Sequence, residues 1–339
     1  MKKNIDLQPN ELSPETKASM KVRIIAAIIG TIIVAPLLLL GDFFSVALCA
    51  FIVIVGTYEI VHCAKKKYNP ALYIVAIILA LLMTYWPIIA TLPEYFSKGG
   101  SEPWTLYNAF VDIKISILVL ALGAFGLFFM VIIDKGFSVR DACFMFTMIM
   151  ILTLGFQSAL YIRYLPCLAY HLEYGPSEGF FNWYDNFESA ILMAYVLIAT
   201  FMTDIGAYFI GVFFGKHKMN PRISPKKTWE GFVGGVVISS ACSFGFAMIM
   251  CGTKHPLVIG VLDLQHWYLI LVLSILLPPV ATLGDFVFSS AKRHFDIKDF
   301  GNIIPGHGGI LDRVDSVIFT MISTAIFLEM IQYWSPFVH

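Results

Sequence analysis

Between Ser289 and Asp315 the chain reads SSAKRHFDIKDFGNIIPGHGGILDRVD, its densest run of charge and glycine. Lys292, Arg293, Lys298 and Arg313 alternate with Asp296, Asp299, Asp312 and Asp315 around Gly301, Pro305, Gly306, His307, Gly308 and Gly309. Hard divalent cations take oxygen ligands, and Lys or Arg neutralises the phosphate charge that remains, so this mixture suits metal-bound phosphates and phosphoryl transfer. Asp312 and Asp315 are three apart, and a helix begun by that point carries both carboxylates on one face of its first turn. Asp285, at the inner end of the preceding apolar run, can meet them across the loop. Three converging carboxylates repel one another unless cations lie between them, which predicts a two-cation site on Asp285, Asp312 and Asp315. The glycines of GHGG let backbone N–H groups approach an anion, with Gly308 and Gly309 as binding positions. His307 reads either as a turn residue or as a phosphate contact. No second histidine stands at ligand spacing, so zinc is not expected. Asp296 and Asp299, beside Lys292, Arg293 and Lys298, read as ion pairs.

Two further polar groups lie upstream. Gly215 to Gly231 reads GKHKMNPRISPKKTWEG, with Ser224, Lys226, Lys227 and Thr228 placed directly before a helix beginning near Trp229 and Glu230. Clustered cations beside a membrane are ordinarily a lipid-facing flank. Here a hydroxyl, two ammonium groups and free N–H groups at a helix N-terminus can together hold a polyphosphate. Asp204, with Thr203, sits inside an apolar run, where a charge costs about 3 kcal/mol or more in hydrocarbon, so it should face a polar cavity or a partner. Ala207, Gly211 and Gly215 recur every fourth residue, a stripe that reads as close helix packing.

The elements that must position these groups follow from composition. With 58% hydrophobic and 14% charged residues over 339 positions and a mean hydropathy of +0.78, the chain is an all-α polytopic membrane protein. Runs of about 20 apolar residues are predicted to span near 24–40, 43–63, 71–92, 113–133, 141–162, 190–213, 232–251, 267–287 and 316–334, about nine in all. The first reads as a retained span and not a removed leader. Ser289–Asp315 then reads as a loop at the membrane surface. Residues 1–189 form an N-terminal membrane region and 190–339 a catalytic one with two active-site loops. Of 23 basic residues only Lys98, Lys114, Arg163 and Lys254 fall outside the segments assigned to the inner face, which puts the N-terminus in the cytoplasm and the C-terminus outside. The segments 93–112 and 163–189 read as outer interfacial loops. Pro278, Pro279 and Gly284 are expected to kink the eighth span. Six cysteines without CxxC spacing argue against a disulfide framework or a zinc site.

At these residues the chain resembles the CDP-diacylglycerol synthase family, the phosphatidate cytidylyltransferases. The resemblance runs through Ser289, Lys292-Arg293, Lys298-Asp299, Gly301, Pro305-Gly306-His307-Gly308-Gly309 and Asp312-Arg313-Val314-Asp315. Ala291 departs mildly from it, since a larger apolar residue is usual there. The Ser-Pro-Lys-Lys-Thr-Trp-Glu-Gly element at 224–231 and Thr-Asp-x-x-Ala-Tyr at 203–208 are similar too, so the resemblance covers about 195–335. It implies that CTP and phosphatidic acid give CDP-diacylglycerol and pyrophosphate in an inner membrane, on its cytoplasmic side. It further implies magnesium, a second cation such as K+, and a homodimer in the bilayer; no nucleic-acid partner is expected. Under that reading metal on Asp285, Asp312 and Asp315 serves the α-phosphate, Lys226, Lys227 and Arg313 hold the β- and γ-phosphates, Lys292 and Arg293 add substrate contacts, and Asp204 lines the lipid cavity. A transporter would instead place its charges near mid-membrane on both repeats. A lipid-binding scaffold leaves the carboxylates without purpose. The nearest rival is a CTP-dependent lipid kinase of polyprenol type, which would pass on the γ-phosphate.

Overall fold

The computed structural model describes residues 30, 32, 34, 36–37, 40–97, 117–174, 183–303 and 308–334. In hydrocarbon every backbone polar group must be satisfied within its own segment, and these apolar runs accordingly form helices. In chain order they are α1 (Asp42–His62), α2 (Pro70–Ser97), α3 (Ile117–Ile133), α4 (Val139–Tyr174), α5 (Trp183–Phe214), α6 (Trp229–Gly252), α7 (Trp267–His294) and α8 (Leu311–Trp334). The only sheet among the described residues is a hairpin between α5 and α6, made of β1 (Lys218–Asn220) and β2 (Ser224–Thr228).

Seven of the helices are long and apolar enough to cross a membrane, and α3 is a shorter apolar helix. The all-α membrane architecture is therefore as expected. The run 24–40 lies mostly outside the described residues. Several boundaries move. α4 continues to Tyr174 and α5 starts at Trp183, so most of the supposed outer loop 163–189 is helical. Arg163 consequently sits inside α4, only 1% exposed, and not on a loop. α2 runs on to Ser97, and the rest of 98–112 lies outside the described residues. α7 passes through Pro278 and Pro279 and on to His294, so it absorbs the start of the stretch read as a surface loop, from Ser289 to His294. The Thr282 hydroxyl donates to the Pro278 carbonyl at 3.1 Å and keeps a polar side chain bonded within that segment.

Small residues set the helix spacing. Without a hydrophobic driving force between lipid-embedded helices, close van der Waals contact holds them together, and it needs glycine at the crossing. A Cβ on Gly231 would stand 2.7 Å from the Ala207 carbonyl oxygen, and one on Gly235 would stand 2.8 Å from that of Thr203. The stripe on α5 thus packs on α6, as its spacing predicts. Buried hydroxyls add ties of about 0.6 kcal/mol each. Thr200 and Thr320 meet at 2.8 Å between α5 and α8, Tyr195 and Ser274 at 2.7 Å between α5 and α7, and Ser239 donates to the Ala199 carbonyl at 2.6 Å.

The basic loops gather at one end of the bundle. Lys66 pairs with Asp141 at 2.6 Å, the Asn69 N–H donates to Asp134 at 2.7 Å, Lys65 donates to the Asp296 carbonyl at 3.3 Å, and Arg293 Nε donates to the Ile223 carbonyl at 3.3 Å. The connections after α1, α3, α5 and α7 therefore share a face. The division at 189/190 falls inside α5, and helices from both halves pack together, with α4 and α1 both against α8.

Candidate active site

The first wall of the site is the hairpin. Lys218 pairs with Thr228 and Asn220 with Ser224, which turns the chain sharply at Pro221 and delivers it to α6. Thr228 is extended and is the N-cap: its Oγ1 accepts the Gly231 N–H at 3.1 Å. Glu230 folds back, one oxygen accepting the Lys216 N–H at 3.0 Å and the other meeting His217 Nδ1 at 2.6 Å, while the Trp229 N–H donates to the His217 carbonyl at 2.9 Å. The α6 helix begins where the sequence predicts. Two of its early N–H groups, those of Trp229 and Gly231, already have partners within the chain.

β2 then presents Lys227 to the second wall, α7. Lys227 forms an ion pair with Asp285, and its ammonium lies 4.8 Å from the Phe286 ring centroid. Ser289, one turn along α7, donates to the other Asp285 oxygen at 3.1 Å. Lys226 is exposed and Ser224 half-buried. Gly284 allows α7 to meet α8, since a Cβ there would stand 2.9 Å from the Asp315 carbonyl oxygen. This contact brings Asp285 and Asp315 into electrostatic range of one another, with Lys292 near Asp315. Asp204 on α5 joins the same group, within range of Lys227, Asp285, Arg313 and Asp315. Asp204 is exposed on α5 and lies within electrostatic range of charged groups on three other elements.

The third wall is made of residues 295–303 and 308–310 with the first turn of α8. Asp312 is buried, its side chain accepting from Lys292 at 2.8 Å on one oxygen and from the N–H groups of Phe300 and Gly309 at 2.8 and 3.0 Å on the other. Lys292 is buried with it, 5.6 Å from the Phe300 ring centroid. Arg293 donates to carbonyls of Ile223 and Ile297 and ties the hairpin to the loop. Gly308 has φ +87°, a left-handed conformation that side chains rarely adopt, and a Cβ there would stand 3.1 Å from Asp312 Oδ2. Asp296 and Asp299 form no ion pair among the described residues; Asp296 instead offers its carbonyl to Lys65. His307 lies outside the described residues.

One residue of this wall escaped the sequence reading. Glu59 of α1 is 1% exposed and accepts the Ile310 N–H at 3.0 Å on one oxygen and the Leu311 N–H at 2.8 Å on the other. A Cβ on Gly309 would stand 2.5 Å from its carboxylate, and a Cβ on Gly301 would overlap it. The glycines therefore make room for a protein carboxylate as well as letting the backbone approach. The signal was present, for Glu59 is the lone acidic residue of the run 43–63, and an ionisable group inside a span marks a site by default.

The predicted trio is thus rearranged. Asp285, Asp315 and Asp204 lie within electrostatic range of one another, while Asp312 accepts from Lys292 and the amides of Phe300 and Gly309. No group of three or more His, Cys, Asp or Glu side chains among the described residues is gathered tightly enough to hold a metal ion as it stands. Asp315 Oδ1 accepts the N–H and hydroxyl of Ser316 at 2.7 and 3.4 Å and keeps lone pairs for a cation, and Asp285 is ion-paired with Lys227. All-oxygen donors of this kind fit a hard divalent ion and not a soft one.

A family model described as "Cytidylyltransferase family" matches residues 21–331. Among curated proteins, the phosphatidate cytidylyltransferase of Staphylococcus saprophyticus is 33% identical over 302 residues, 89% of this chain and 96% of its own. That of Staphylococcus aureus strain COL is 31% identical over 302 residues, with the same coverage. That of Bacillus subtilis is 45% identical over 127 residues, 38% of this chain and 43% of its own.

Proposed function

Since this chain belongs to the cytidylyltransferase family, we propose that it converts CTP and phosphatidic acid to CDP-diacylglycerol and pyrophosphate at the cytoplasmic face of the inner membrane. The observation that carries this reading is the Lys227–Asp285 ion pair, which joins the basic hairpin to the carboxylate group of α7 and α8. A lipid-facing flank of lysines needs no such partner.

The phosphate of phosphatidic acid is itself an anionic nucleophile, so no strong general base is required. One of its oxygens attacks the α-phosphorus of CTP, the bond from that phosphorus to the bridging oxygen breaks, and the electron pair leaves with pyrophosphate. The residues must hold two anions together and stabilise the leaving charge. Lys226, Lys227 and Arg313 are suited to the β- and γ-phosphates, where a desolvated ammonium or guanidinium makes short charge-assisted bonds. Magnesium would be held by Asp285 and Asp315, with Asp204 nearby, and would supply charge neutralisation at the α-phosphate; a second cation such as K+ has the remaining carboxylate oxygens for ligands. Asp312 keeps Lys292 and the loop in place beside them. Asp204, exposed on α5, would face the entering lipid headgroup.

Purified protein incubated with α-labelled CTP and phosphatidic acid should carry the label into lipid and release unlabelled nucleoside-free pyrophosphate. Transfer of a γ-label to lipid, with CDP released, would replace this reading by the lipid kinase.

A further inference from the structure

Glu59 comes from α1, a helix outside every motif discussed above, and yet it ends at the start of α8. Both of its oxygens are used, one for the Ile310 N–H and one for the Leu311 N–H, at 3.0 and 2.8 Å. These are the amides of the residue just before, and the first residue of, the helix that bears Asp312, Arg313 and Asp315. A helix begins with N–H groups that have no partner in the helix, and its positive dipole end favours an anion there. Here that anion is a buried protein carboxylate. Gly301 and Gly309 both lie so close to it that an added Cβ would clash with it, and Asp312 accepts the amides of Phe300 and Gly309. The loop before α8 is thus strung between two carboxylates, and Glu59 fixes the one end that Asp312, itself part of α8, cannot fix.

We propose that Glu59 is a positioning residue for the reaction: by holding the Ile310 and Leu311 amides it sets where the first turn of α8 places Arg313 and Asp315 relative to Asp285 and Lys227. This rests on the proposed cytidylyl transfer for its kinetic consequence, but not for its structural one. Glutamine has the size of glutamate, yet one of its two terminal atoms is a donor. Because the two oxygens serve different amides, either orientation of Glu59→Gln leaves one buried N–H facing an N–H.

The test uses the full-length protein in detergent micelles, with two readouts. Hydrogen exchange of peptides covering 308–316 should speed up about tenfold or more in Glu59→Gln, the loss expected for one charge-assisted bond, with exchange in α4 and α5 unchanged. Turnover should fall about 100-fold at saturating substrates, as displacement of catalytic groups by an ångström does, while the KM for phosphatidic acid stays within about threefold. Gly301→Ala, which pushes on the same carboxylate from the loop, should give the same local signature, and it carries the test if Glu59→Gln does not fold. Unchanged exchange at 308–316, or faster exchange throughout the molecule with normal turnover per folded molecule, would overturn the proposal. If the wild-type protein moves no label from CTP into lipid, the functional reading falls, and the exchange measurement still decides whether Glu59 anchors α8.

Discussion

Lys227 and Asp285, one on a hairpin strand and the other on a membrane helix, form an ion pair that joins β2 to α7. Both side chains remain about a quarter exposed, so the pair is open to a ligand that could share or displace either partner. A CTP phosphate would replace Asp285 as the neighbour of Lys227 and free a carboxylate for a cation.

Lys227→Ala should therefore depress turnover or raise the CTP requirement far more than Lys66→Ala, although both lysines lie at the same end of the bundle. Attraction to an anionic surface contributes about 1 kcal/mol per lysine and is screened within a Debye length. A desolvated phosphate contact is screened much less, so the Lys227 defect should persist when initial rates are measured in high salt. Equal, salt-sensitive defects at both positions would reduce the hairpin to a positive flank.

Asp312 and Asp315, three residues apart, should respond differently to the same change. Asp315→Asn removes a carboxylate with lone pairs to spare, and turnover should fall at least about 100-fold, roughly 2.7 kcal/mol in the barrier, with little change in melting temperature. Asp312→Asn leaves Lys292 buried without its counter-ion, a change of about 3–5 kcal/mol, and should lower the melting temperature clearly. Thermal melts and magnesium titrations of both variants decide it; identical profiles would show that the two carboxylates share one role.

Thr228 can be tested as a cap separately from its place beside a nucleotide. Thr228→Ala should cost about 1 kcal/mol of stability, whereas Thr228→Asp caps as well as threonine. If CTP phosphates lie near this helix start, Thr228→Asp should keep the melting temperature yet raise the KM for CTP by repulsion. A normal KM would confine Thr228 to the capping role.

The sidedness of the molecule is open to chemical labelling. With the six cysteines replaced, a single cysteine at Lys226 should react with a membrane-impermeant thiol reagent only after the inner face is opened. A cysteine at Lys298 should behave in the same way, because Arg293 ties its loop to the hairpin. Reaction of either in intact cells would invert the proposed topology.

By itself the sequence determined the membrane architecture, because long apolar runs have few other ways to satisfy their backbone. It also singled out candidate residues for phosphate and hard cations, since spacing such as Asp312-x-x-Asp315 and Ser224-Pro-Lys-Lys-Thr228 is local, and the start of α6 at Trp229 follows from a Thr cap. Tertiary structure alone decided the pairings. Asp312 and Asp315 share a helix turn, yet one side chain meets Lys292 and loop amides while the other lies near Asp285 and Asp204, since which neighbour a helix face meets depends on packing against α7 and α5. Glu59 lies far from the motifs in sequence, and only the packing of α1 beside α8 makes it their neighbour. A buried carboxylate must find donors, and where it finds them is a property of the folded bundle and not of the adjacent residues.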